Sequence, residues 1–183
     1  MARVQVAAFM IAWTRQHVKI CIPGEPIPQA RPRATSRGGK ARVYEPEGRS
    51  KKYKNKIRAT ILEATGRTPT QAGFNALPYP PKVPLQVTIR AYHSCPKSDE
   101  RVRTPAPQRW RVSTPDIDNI AKGVLDACTG YLWHDDAQVV RLVAEHYTAA
   151  QGDKPCLIIE VTHISEASIR TLIVSPGIEQ TQQ

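Results

Sequence analysis

Pro115-Asp-Ile-Asp-Asn-Ile-Ala-Lys-Gly-Val-Leu-Asp-Ala127 opens extended and continues with the spacing of a helix. Ile120, Val124 and Ala127/Cys128 recur at intervals of three and four, so they share one apolar stripe. The spacing predicts a helix over 118–129, with Gly130 just past its end as the stop signal. An acidic cluster, Asp116-Ile-Asp118, stands at the start of this helix, and a second, Trp133-His-Asp135-Asp136, follows its end. Two acids spaced i, i+2 on extended chain point the same way. The helix is expected to run back toward the second cluster through a short turn, letting three or four carboxylates converge.

Outward from this unit the periodicity changes. Val139–Tyr147 and Pro155–His163 read as strands, expected to form a hairpin around Gly152-Asp153. Upstream, Leu85–His93 alternates cleanly, with Leu85, Val87, Ile89, Ala91 and His93 directed inward. Ser50–Ala64 carries Tyr53, Ile57, Ile61 and Ala64 on one helical face and Lys51, Lys54 and Arg58 on another. His17–Ile22 alternates Val18, Ile20 and Ile22 against polar neighbours, as a strand does. The basic segment from Arg31 to Arg42 is read as a loop too rich in glycine and proline for regular structure. Strands and helices mixed without strict alternation predict an α+β fold. The expectation is one domain over 17–164, with a mixed sheet of about four strands and two main helices, an N-terminal extension over 1–16 and a loose tail over 165–183.

Charge is the abnormal quantity in an otherwise ordinary globular composition. The 183 residues hold 26 Lys/Arg against 16 Asp/Glu, a net charge of +10. Residues 1–111 hold 22 of the bases and only 6 of the acids, so the downstream part is net acidic. A basic surface suits a polyanion such as nucleic acid. A metal-dependent enzyme acting on that polyanion needs both parts, cations for phosphate and carboxylates for the metal. The cysteines, Cys21, Cys95, Cys128 and Cys156, lack zinc spacing and read as free thiols, which fits a reducing, cytoplasmic setting. The apolar run near the N-terminus is too short to span a bilayer, so no membrane partner is expected.

Converging carboxylates repel one another unless a cation lies between them, and Mg²⁺, hard and oxygen-seeking, is the natural occupant. Taken alone, Asp118 reads as a helix cap before a ligand, and Asp135-Asp136 as a solvated turn. Lys122 lies one turn after Asp118. It can form an i, i+4 ion pair there, or stand beside a metal cluster as a cation that stabilises developing phosphate charge. His134 reads as an inert turn histidine. Arg31, Arg33, Lys51, Lys54 and Arg58 are the candidate DNA-backbone contacts.

The string Pro115–Ala127, followed by Gly130, Trp133 and Asp135-Asp-Ala-Gln-Val139, resembles the RusA family of Holliday-junction resolvases. Ile22-Pro-Gly-Glu-Pro-Ile-Pro-Gln-Ala-Arg-Pro-Arg33 is similar to the first strand and basic loop of many phage-borne members. The resemblance implies a small homodimeric Mg²⁺-dependent endonuclease that resolves four-way DNA junctions by paired symmetric nicks. It implies that Asp116, Asp118 and Asp136 are the essential carboxylates, Lys122 the functional lysine and Asp135 an auxiliary metal ligand. The rival readings are a non-catalytic nucleic-acid-binding protein and a metal-dependent nuclease of other branched DNA or RNA. The chain departs from members with an arginine run directly before the first acid: Ser113-Thr114-Pro115 stands there, and the cations are Arg101, Arg103, Arg109 and Arg111.

Overall fold

The computed structural model describes residues 12–14, 17–30, 33–37, 40–44, 48–66 and 77–165. Its strands are β1 (Ala12–Thr14), β2 (His17–Pro23), β3 (Arg33–Arg37), β4 (Lys40–Tyr44), β5 (Leu85–His93), β6 (Arg109–Trp110), β7 (Val139–Thr148) and β8 (Cys156–His163). Two helices, α1 (Arg49–Thr65) and α2 (Ile117–Cys128), complete the α+β fold. Six strands form one mixed sheet in the order β1-β2-β8-β5-β7-β6. Four of them are long, and the outermost two are short edge pieces.

Alternation decides which sheet face the helices cover. Val18, Ile20 and Ile22 of β2, Leu157, Ile159 and Val161 of β8, and Leu85, Val87, Ile89 and Ala91 of β5 are all buried. They pack with Tyr53, Ile57 and Ile61 of α1 and Ile120, Ala121, Val124 and Ala127 of α2 as one core. The stripes read from spacing in both helices are therefore the packed faces. The opposite sheet face is polar and aromatic. Arg90 bridges Glu145 at 2.6 Å and Glu160 at 3.1 Å, and Lys19 pairs with Glu160 at 2.8 Å. Trp110 stacks on Tyr147, which stacks on Tyr92, with ring centroids 4.5 and 4.9 Å apart.

Three expectations are corrected. β7 and β8 do not form a hairpin: β5 lies between them, parallel to β7 and antiparallel to β8. β5 has the most continuously buried pattern of the set, and the centre of the sheet, covered by a strand on each side, is where such a strand gains most from burial. The segment read as an irregular basic loop contains an antiparallel pair, β3–β4, registered from Arg33↔Tyr44 to Arg37↔Lys40. Its β-branched and aromatic residues, Thr35, Val43 and Tyr44, outweigh the glycine signal between the strands. Finally, α2 begins one residue early, at Ile117, so its N-cap residue is Asp116 and Asp118 falls in the first turn.

Candidate active site

α2 carries the acidic motif at its N-terminal end, where the sheet directs the 111–116 segment. β6 pairs with the end of β7 through Arg109↔Thr148 and Trp110↔Tyr147, and the Arg111 amide donates to the His146 carbonyl at 2.9 Å. The Arg111 guanidinium then donates to the Thr114 carbonyl, 2.6 Å from Nη2, and steers the chain into the helix. The result is a cavity of about 630 Å³ lined by Arg111, Ser113, Thr114, Asp116, Asp118 and His146, among others. Asp116 and Asp118 are exposed on it, and Asp116 makes no side-chain capping bond. Both carboxylates thus remain available to a cation, and the helix N-terminus behind them favours an anion such as phosphate.

At the cavity wall lies an imidazole pair, His146 half-buried on the cavity and His93 buried beside it. Glu25 Oε2 is 3.0 Å from His93 Nδ1, and Glu25 also accepts from the Ser94 amide at 3.0 Å and from the Ser94 hydroxyl. His93 meets His146 edge to face at 4.8 Å. The Nε2 atoms of both histidines are buried without a hydrogen-bond partner among the described residues. Burial, then the nearby Arg111 cation, lowers the His93 pKa against the raising effect of Glu25. Burial, His93 and Arg111 together lower that of His146 to about 4, so both rings are neutral near pH 7. Sequence reading placed His93 inward but missed Glu25 and His146. The one available signal for His146 was a histidine near the end of the segment read as a strand over Val139–Tyr147.

The second acidic cluster lies at the other end of α2. Thr129 and the buried Trp133 both bond to Asp136 Oδ1, the indole Nε1–H donating at 3.0 Å and the Thr129 hydroxyl also donating. Asp135 caps the one-turn 3-10 helix Asp136–Gln138, accepting from the Ala137 amide at 2.7 Å. Gln138 is buried, donates to the carbonyls of Pro80 and Val83 at 2.8 and 3.2 Å, and accepts from the His134 amide at 2.9 Å. The Trp-x-Asp-Asp-x-Gln spacing is therefore a local hydrogen-bonded frame that aims Asp136. His134 lines a separate cavity of about 350 Å³ together with Asp135, Gln138 and Val140.

The clusters do not converge within one chain, which corrects the sequence expectation. The twelve residues of α2 separate them, about 18 Å at a rise of about 1.5 Å per residue. Among the described residues, no group of three His, Cys, Asp or Glu side chains is placed to hold a metal ion. A helix joining two motifs holds them apart by its length, whatever their charge.

Lys122 is exposed one turn after Asp118, and among the described residues no ion pair joins the two. Of the proposed DNA contacts, Lys51 is exposed on α1. Lys54 and Arg58 are turned inward between the helices instead of lining an open face. Lys54 is 8% exposed and lies 3.9 Å from Asp126. Arg58 donates to the Asp126 carbonyl at 3.3 Å and covers the Tyr131 ring at 5.3 Å. Both reach Asp126 in the last turn of α2, where helix carbonyls lack intrahelical partners. Arg33 begins β3, and Arg31 lies outside the described residues.

Fold and cleft define a basic α+β protein whose paired carboxylates, arginine and helix N-terminus are suited to metal-assisted phosphate chemistry. The family model for endodeoxyribonuclease RusA matches residues 23–162, and the chain belongs to that family. The chain is also similar to the uncharacterized protein YqaN of Bacillus subtilis (strain 168), 27% identical over 150 residues that make up 79% of this chain and 97% of YqaN. No helix of the described residues is long and apolar enough to cross a membrane.

Proposed function

We propose that this protein is a Mg²⁺-dependent, structure-specific endodeoxyribonuclease that resolves four-way DNA junctions by paired symmetric nicks, acting as a homodimer in the cytoplasm. One observation carries the reading: within the stretch matched by the RusA family, Asp116 and Asp118 share a cleft with Arg111 at a helix N-terminus.

The donor set fits the cation. Mg²⁺ is commonly held by one or two carboxylates, with substrate phosphate and water completing the octahedron. Asp116 and Asp118 supply the carboxylates. A bound divalent ion supplies Lewis acidity toward water and phosphate. Arg111 and the amides at the start of α2 hold the scissile phosphate against the cleft. Lys122, not neutralised by Asp118, offsets charge that develops on the phosphate oxygens. His146 and His93, both with lowered pKa values, add no competing charge. Asp136, held by Trp133 and Thr129 beyond the far end of α2, is the third carboxylate that the RusA resemblance implies, and Asp135 caps its turn. A two-fold dimer presents two such clefts to two strands of like polarity in a four-way junction.

The test is cleavage of a mobile synthetic four-way junction against a linear duplex of the same sequence, with Mg²⁺ and with EDTA. Paired nicks in the junction, absent in EDTA and in Asp116→Asn, Asp118→Asn and Asp136→Asn proteins that still bind, are expected. Cleavage of both substrates alike would make the protein an unspecific nuclease. Binding indifferent to EDTA with no cleavage would make it a binding protein alone.

A further inference from the structure

Three aromatic rings cross one end of the open sheet face. The register sets Tyr92 of β5 beside Tyr147 of β7, and Tyr147 beside Trp110 of β6. The rings stack in that order, with interplanar angles of 14° and 23°. The two tyrosines are half-buried, whereas the indole at the end of the row is 64% exposed. One face of the indole lies on Tyr147, so the exposure belongs to its other face and its edge. Tryptophan carries a large apolar surface, and here most of it stays in water although stacked tyrosines order it from behind.

The surroundings of that open face decide what fits it. β6 is the last strand of the sheet, and consecutive residues on a strand face opposite ways. Trp110 therefore faces away from the helices. Arg111, whose amide continues the ladder to the His146 carbonyl, lines the cleft with Asp116 and Asp118. A strand passing over this edge meets the cleft on one side and an open aromatic ring on the other. Arg101 and Arg103 are exposed in the loop before β6. That loop is pinned: Gln151 Oε1 accepts from the Arg101 and Ala106 amides at 2.9 and 3.1 Å, and Arg109 of β6 pairs with Asp99. The edge is cationic and aromatic at once, the combination that holds single-stranded nucleic acid, with cations for phosphate and rings for bases. A base inside a duplex has both its π faces covered by neighbours. Only a nucleotide that has left the stack can lie on the indole.

We propose that Trp110 is the stacking subsite for one unpaired nucleobase of the DNA strand that enters the Asp116–Asp118 cleft, with Tyr147 and Tyr92 as its platform. The proposal rests on the reading of the cleft as a nuclease site and adds a residue that favours branched over linear DNA. Taking a base out of its stack costs least where the stack is already interrupted, and stacking on the indole offsets that cost. Every base has a π face, so the subsite discriminates by DNA structure and not by sequence.

The test uses the full chain in EDTA, where binding is read without cleavage. A synthetic four-way junction carries iododeoxyuridine at the branch point. Ultraviolet light links iodouracil to an aromatic ring stacked on it, and mass spectrometry locates the adduct. The expected adduct is on Trp110, formed with the junction and far less with a linear duplex of the same sequence. Adducts that map only to other residues overturn the proposal. In the same buffer, Trp110→Ala should weaken junction binding by about 5- to 150-fold, the range for loss of one base–aromatic stack. Duplex binding should barely change, and Trp110→Tyr should restore most of the loss. No charge is removed, so the slope of log K against log salt should stay as in wild type. If junction and duplex affinities fall alike, or the slope changes, Trp110 only supports the basic loop and the proposal fails. Sedimentation of the Ala protein adds a control: altered assembly with an intact preference for the junction makes the indole a protein contact, which also overturns it. The binding arms separate this proposal from the reading beneath it. A junction that forms the Trp110 adduct yet is not cleaved in Mg²⁺ sinks the nuclease reading and leaves the stacking subsite standing.

Discussion

At the scale of single residues, the chemistry depends on which charges are left uncommitted. Lys54 and Arg58 are used between helices, and Arg90 is used between strands. Lys122 is not spent on Asp118. Lys122→Met is therefore expected to leave stability within about 0.5 kcal/mol of wild type, the scale of a surface i, i+4 pair. Single-turnover junction cleavage should fall roughly 10²–10³-fold, as when one preorganised charge-stabilising donor is lost. Lys122→Arg should rescue only in part, since a planar guanidinium does not replace a compact ammonium. Wild-type cleavage by the Met protein would remove Lys122 from the site.

His146 gives a second outcome at the same scale. Its folded-state pKa of about 4 lies below the ordinary 6.5, so the unfolded chain binds the extra proton first as pH falls. Stability contributed by the neutral ring is present above about 6.5 and is lost as pH falls toward 4. Thermal melts of His146→Gln should fall less steeply than wild type over that window. Parallel curves would show that His146 titrates normally.

At the scale of elements, α2 and the turn that follows form one device. The helix buries Ile120, Val124 and Ala127, and the chain then folds back so that Trp133, fully buried, bonds to Asp136. Trp133→Phe keeps most of the buried ring and deletes the indole N–H. A hydrogen bond to a charged group is worth about 1.5–3 kcal/mol, and under the proposed role of Asp136 as a metal ligand, loss of the residue orienting it should cost about 10–100-fold in metal affinity. The expected result is a lowered Tm together with a rise in the Mg²⁺ concentration needed for half-maximal cleavage. A lowered Tm with unchanged Mg²⁺ dependence would make the tryptophan a packing residue only.

At the scale of the whole molecule, the basic N-terminal part and the acidic C-terminal part are interleaved by the sheet, because β2 pairs with β8 and β5 pairs with β7 and β8. Cations and carboxylates far apart in sequence thus share one body. DNA binding should weaken steeply with salt, each phosphate contact on a duplex arm contributing about 0.9 to the slope of log K against log salt. Replacing Arg31 and Arg33 together by Ala should flatten that slope by roughly 1–2 units if both contact phosphate. An unchanged slope in a folded double variant would place the DNA path elsewhere.

Much of this molecule was legible in its sequence. Period-2 alternation marked β2 and β5, because a strand half-buried against helices must alternate. Period-3.6 stripes marked α1 and α2, because each helix buries one face. The Asp-x-Asp and Trp-x-Asp-Asp motifs and Lys122 carried the resemblance to the RusA family, because their spacing is local, and the chain belongs to that family. What spacing along the chain does not encode is which strand becomes a neighbour. The insertion of β5 between β7 and β8 followed from burying the most apolar strand at the centre. The inward turn of Lys54 and Arg58 followed from α1 meeting the end of α2. The helix-length gap between Asp116 and Asp136 is a matter of tertiary geometry: a rigid helix fixes a distance that charge and motif alone leave open.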